Sequence, residues 1–238
     1  MRPLVTLVLA MMVFLSGCVR YDVGIDFQDQ HFGEISQTIT LAPQLTRLSQ
    51  KEVKQWIDGL ESRAQKLNGK LQRISQENIK VIIPFGNGKE LASKFNQIYH
   101  QIPQTKGNLD LVDLDAQISV KQTNFLLIER NLMTFNIDLT GLGVVSTEGN
   151  IILSSGSLLD LNLSIGSPLK TQVIEKNSSV TKQGNNLIWH LQPGQVNKLT
   201  VLCWVPSYLG IGGLLIVLFM FAGYYLKYKR IPGTAPAL

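Results

Sequence analysis

From Tyr208 to Leu226 the chain runs without a single charged residue. A stretch of that length suits the hydrocarbon core of a bilayer, and Pro206-Ser207 just before it suits the entry to a helix. Trp204 and Tyr208 on one side, with Tyr224, Tyr225 and Tyr228 on the other, put aromatic rings at both interfaces. Lys227, Lys229 and Arg230 follow, and positive residues stay on the cytoplasmic side. The pattern predicts a transmembrane helix over 204–226 and a cytoplasmic tail over 227–238.

The other end carries a matching signal. Arg2 precedes a stretch from Leu4 to Leu15 that is apolar except for Thr6, and Leu15-Ser16-Gly17-Cys18 follows. This reads as a bacterial secretory signal over 1–17 with a lipobox, in which the Cys18 thiol takes diacylglycerol and becomes the new N-terminus. A lipid on Cys18 and one span leading to a basic tail require the segment between them, 18–203, to lie on the extracytoplasmic face of the cytoplasmic membrane. With Cys18 used as a thioether, Cys203 has no intramolecular partner, and the sequence predicts an inert residue at the mouth of the span.

The net charge of +5 is concentrated at the ends. Setting aside Arg2, Lys227, Lys229 and Arg230 leaves 18 Lys/Arg against 17 Asp/Glu, so the body is nearly neutral. Its basic residues are dispersed and not grouped with aromatics, which excludes a nucleic-acid surface as the reading. The 45% apolar content requires a packed core and excludes disorder as the main state.

Val19, Tyr21, Val23, Ile25 and Phe27 alternate with polar residues, as do Ile35, Ile39 and Leu41, and the polar turn Gln28–Gly33 between them makes a hairpin. Ser49 and Glu52 have capping-box spacing before a helical stripe of Val53, Trp56, Ile57, Leu60, Ala64 and Leu67 that ends at Asn68-Gly69. A strand holding Ile79, Val81 and Ile83 stops at Pro84, and a second helix runs from about Lys89 to Ile102. Residues 103–108 form a polar connector inside one domain. Beyond it, Val112, Leu114, Ala116, Ile118 and Val120 share one face of a strand, and further strands are expected at 124–130, 132–140, 144–153, 158–165, 185–191 and 196–202. Gly141, Gly149, Gly156, Gly166 and Gly194 mark the turns. The expected class is α+β: a mainly antiparallel sheet with two packed helices, plus the C-terminal transmembrane helix.

No catalytic constellation stands out. His31, His100 and His190 are far apart and outside any metal-binding spacing, and Asp110, Asp113 and Asp115 read as a solvated strand face. Gly86-Asn87-Gly88-Lys89 lacks the spacing of a phosphate loop and reads as a turn and helix start. Catalytic, cofactor and metal sites are therefore all expected to be absent, and Cys18 is the one site residue nominated, for lipidation.

Gly17-Cys18 followed at once by Val19-Arg20-Tyr21-Asp22-Val23, the turn into Gly33-Glu34-Ile35, Leu187-Ile188-Trp189 near Pro193-Gly194 and the terminal span together resemble the LppM-like domain of actinobacterial lipoproteins and their cyanobacterial and plastid relatives. The resemblance implies an envelope domain that binds lipid, with no catalytic residue attached. The expectation is a non-enzymatic, membrane-held domain that binds lipid or another hydrophobic ligand. The competing expectation is an assembly or scaffold factor that contacts a membrane protein complex.

Overall fold

The computed structural model describes residues 19–40, 50–75, 77–99, 115–145, 151–154 and 159–229. The signal segment 1–17, Cys18, the Ser49 cap, residues 100–114 with His100, Asp110 and Asp113, the turn glycines 149 and 156, and the tail from Arg230 lie outside them.

Strands β1 (Val19–Phe27) and β2 (Gly33–Thr40) form the expected hairpin, with Ile25 opposite Ile35 and Phe27 opposite Gly33. Its turn is closed by the Gln28 and Asp29 amides, which both donate to the Phe32 carbonyl at 3.0 Å, and by the His31 amide, which donates to Asp29 Oδ1 at 2.7 Å. Helix α1 (Gln50–Lys66) buries Trp56, Ile57, Leu60 and Ala64 against β3 (Lys70–Arg73) and β4 (Asn78–Phe85). The helix ends where Asn68 turns to a φ of +59° and the Gly69 amide returns to the Ala64 carbonyl at 2.8 Å. Pro84 sits inside β4 and does not stop it; β3 pairs with Ile79–Ile82 alone, so at Pro84 the strand has β2 on one side only.

Helix α2 (Gly88–Tyr99) starts where the sequence places it. Asn87 Oδ1 accepts from the Glu90 amide at 2.9 Å, and Glu90 Oε2 accepts from the Gly86 amide at 2.8 Å, a reciprocal cap. Its Asn96 side chain bonds both backbone groups of Ile118, at 2.8 and 3.1 Å. That residue belongs to β5 (Asp115–Asn124), the edge strand of its sheet, so α2 occupies backbone groups that would otherwise be free to pair with another chain.

The remaining elements are β6 (Ile128–Asp138), a short 3-10 turn at Thr140–Leu142, β7 (Gly143–Val145), β8 (Ile151–Ser154), β9 (Leu159–Gly166), β10 (Lys170–Lys176), β11 (Ser179–Gln183), β12 (Asn186–His190), β13 (Val196–Pro206) and helix α3 (Tyr208–Tyr228). Instead of one sheet there are two main ones, ordered β11-β12-β9-β1-β2-β4-β3 and β10-β13-β6-β5, with β7-β8 as a small third. Every pairing is antiparallel except β1 with β9. Residues of both main sheets and of α2 surround one small cavity of about 20 Å³, lined by Tyr21, Val23, Leu161, Phe95, Tyr99 and Ile137 among others. That volume holds about one water, not an acyl chain.

Two sequence expectations are corrected here. Phe125–Leu127, expected in a strand over 124–130, form the turn between β5 and β6. Trp204–Pro206, expected to open the span, belong to β13, because they pair with Ile128–Arg130 of β6; the helix begins at Tyr208.

Cys203 lies inside β13, fully buried, and not at the mouth of the span. Burial pushes its thiol up to about 12, against a partial opposing pull from the Thr171 and Ser167 hydroxyls. A thiol that stays protonated and out of reach is inert. Maleimide labelling at pH 8 should leave Cys203 unmodified in the folded protein and modify it fully in denaturant; labelling without denaturant would contradict the buried placement.

Candidate functional site

The end of β13 fixes where the domain meets the apolar helix. Ser207 alone separates Pro206 from Tyr208; its side chain accepts from the Gly210 amide at 3.3 Å, and its own amide donates to the Leu127 carbonyl at 2.9 Å. Among the described residues α3 is the one helix long and apolar enough to cross a membrane, by length and composition, with a mean hydropathy of 2.1 and no buried residue. At 1.5 Å per residue it is about 31 Å long, matching a hydrocarbon core of about 30 Å.

Several chain turns gather around its first turns. The β5–β6 turn presents Phe125, Leu126 and Leu127, held by the Leu126 amide donating to Asn124 Oδ1 at 2.9 Å. Leu126 has a φ of +69° and is 69% exposed, an unusual conformation and a high exposure for a leucine. Leu126 also presses its carbonyl oxygen against Gly210: a Cβ added there would lie 1.6 Å away. Phe32 of the β1–β2 turn, Leu169 just before β10 and Leu209 are likewise exposed. By contrast, the outer strand faces are polar, with Arg20, Asp26, Gln117, Lys121, Asn136 and Lys198 exposed. One pole of the domain is therefore apolar, and it is the pole that carries α3.

Two connected recesses open there. A polar pocket of about 420 Å³ is lined by Gln30, His31, Asn87, Gln122, Asn124 and Glu129. An apolar groove of about 540 Å³ shares Gln30, His31 and Asn124 with it and continues along α3 past Leu209, Gly213, Leu214 and Val217. Next to Asn87, α2 approaches β5 and β6 closely: a Cβ on Gly88 would meet Val120 Cγ1 at 2.7 Å and Asn131 Oδ1 at 3.3 Å. Only glycine lets the helix start sit so close.

Glu129, the second residue of β6, is a buried carboxylate. Its Oε1 accepts from Gln122 Nε2 at 2.5 Å and from Asn131 Nδ2 at 2.9 Å. Two amide donors hold the side chain in one rotamer and offset part of the cost of burying it. Among the described residues neither lysine nor arginine lines either recess, and hydrogen-bonding amides with the His31 imidazole and the Glu129 carboxylate make up the polar side.

None of these residues was nominated from the sequence. They come from four separate segments, and each is an ordinary polar residue until the turns converge. The Gly86–Lys89 turn is where the sequence places it, and its Asn87 lines the pocket. His190 lies elsewhere, on the outer face of the larger sheet, with Nδ1 2.7 Å from Asn162 Oδ1; Asp115 is exposed at the start of β5. Among the described residues no group of three His, Cys, Asp or Glu is placed to hold a metal ion.

Comparison with known proteins gives two findings. The NMR structure of the folded domain of LppM from Mycobacterium tuberculosis is similar to this chain, with 14% identity and a TM-score of 0.45, over 81% of this chain and 94% of that one. It is a member of the group that the sequence resembles. No curated protein matches the chain. The model of the family described as "Protein of unknown function (DUF3153)" matches residues 23–231, nearly the whole of the chain, which therefore belongs to that family.

Proposed function

We propose that the chain is a non-catalytic lipid-binding domain held at the extracytoplasmic face of the cytoplasmic membrane by a diacylglycerol on Cys18 and by α3 as a single span. Lys227, Lys229 and Arg230 then lie on the cytoplasmic side. The observation that carries the reading is the junction at the apolar pole, where a polar pocket opens directly into an apolar groove against the span. A lipid needs that order of surfaces: headgroup contacts first, then a dry track for a chain. The tether supports it too, because a domain fixed at the bilayer meets lipid at high effective concentration.

Gly213 provides a clean test, since nothing lies within 4 Å of the place where its Cβ would be. Gly213→Phe places a ring in the groove from a position whose own Cβ meets nothing. Full-length protein, purified in mild detergent and analysed by native mass spectrometry, should retain one lipid per chain, and Gly213→Phe should lose at least about 90% of it. Equal retention by both proteins would overturn the groove as the site. Photocrosslinkers at Gln30 and Leu209 should trap lipid; if they trap a membrane protein instead, the scaffold reading replaces this one.

A further inference from the structure

Resting on that lipid-binding reading, we infer that the headgroup taken by the polar pocket is an uncharged sugar, so that the ligand is a neutral glycolipid.

The pocket's chemistry selects among headgroups. A phosphate is held by arginine or lysine, or by free amides at a helix start. Among the described residues no lysine or arginine lines the pocket. At the start of α2 beside it, two amides are already taken up by the reciprocal cap, that of Glu90 by Asn87 and that of Gly86 by Glu90, and the Glu90 carboxyl lies close by. Glu129 adds a negative charge that repels phosphate directly. Sugar hydroxyls reverse each of these points, because every hydroxyl both donates and accepts. Glu129 accepts, Gln30, Asn87, Gln122 and Asn124 do both, and His31 does either. At about 420 Å³ and open to solvent, the pocket is large enough to admit a monosaccharide. The groove that continues from Gln30, His31 and Asn124 along α3 then favours a sugar joined to acyl chains over a free one.

The test uses the full-length protein in phosphatidylcholine nanodiscs doped separately with monoglucosyldiacylglycerol, phosphatidylglycerol or diacylglycerol, with bound lipid read by native mass spectrometry after detergent release. The glucosyl lipid should be retained about 10-fold over the other two. Gln30→Ala, in an exposed turn, and Glu129→Gln, checked for an unchanged melting temperature, should each lower that retention about 3- to 10-fold, the loss of one neutral or charge-assisted hydrogen bond. Equal retention of all three lipids would overturn the sugar inference and leave lipid binding standing. Preference for phosphatidylglycerol would overturn it as well, and retention of none would overturn both. Free glucose competing as well as the glucosyl lipid would show that the sugar is read without its chains, against the lipid-linked ligand.

Discussion

Trp189→Ala is expected to cost the domain about 3–5 kcal/mol, the range for deleting a fully buried aromatic side chain. Trp189 is fully buried on β12, opposite Leu163 of β9 and Val180 of β11. Against a usual domain stability of about 5–15 kcal/mol, such a loss takes about a fifth of the total or more and in a marginal domain leaves it unfolded. Trp189→Phe separates volume from polarity. The indole Nε1 is buried with no hydrogen-bond partner among the described residues, so tryptophan carries a desolvation cost of about 1–3 kcal/mol that phenylalanine does not. The phenylalanine variant should therefore stay within about 1.5 kcal/mol of the parent despite its smaller ring. Urea midpoints followed by circular dichroism measure both, and equal losses would mean that the indole N–H is satisfied.

The second large effect is expected at the joint between domain and span. In a helix interior, glycine to alanine is favourable by up to about 1 kcal/mol. Gly213→Ala, with open space around it, should show that gain or nothing. Gly210→Ala should show the reverse, because its methyl would lie 1.6 Å from the Leu126 carbonyl, and backbone on both sides must move. Crowding of this kind costs about 1–3 kcal/mol. The Ser207 amide to Leu127 carbonyl bond is the one nearest the displacement, so the β5–β6 turn should separate from α3. Chymotrypsin applied from the domain side of reconstituted vesicles should then cut at Phe125–Leu127 about 10-fold faster in Gly210→Ala than in Gly213→Ala. Equal rates would mean that the turn is not held by the helix.

How far the sequence revealed this fold depended on whether burial left a period in it. The β1–β2 hairpin was legible because one face is buried and the other wet, residue by residue. Strands β10 and β11 were not, because KTQVIEK and SVTKQ bury only Thr171 between them and carry no alternation. Phe125–Ile128 reads as apolar strand, yet three of those residues form the turn at the apolar pole; hydropathy reports a nonaqueous neighbour without saying whether it is protein or lipid. The same ambiguity moved the start of the span to Trp204, whose ring sits 6.2 Å from Phe125 at the end of β13. The parallel pairing of β1 with β9 joins residues some 140 positions apart, and no local pattern encodes it. The polar pocket was hidden for the same reason. Its nearest local signal was Glu129, an acid directly after an apolar run, buried where a charge needs a stated partner.

The direction of β1 sets the posture of the whole molecule. Val19 and Phe27 lie about 26 Å apart along an extended strand, and the turn after Phe27 borders the groove beside α3. Cys18 immediately precedes Val19 in the sequence, and β1 is paired with neighbours on both edges. A fatty anchor at that residue and a span at the opposite end can share one leaflet only if the domain reclines with β1 parallel to the surface. Standing erect, it would hold the acylated end aloft, within reach of a facing sheet of lipid. With the proposed lipid on Cys18 and α3 across the bilayer, the tilt of this strand against the bilayer normal would therefore report whether both anchors sit in one leaflet.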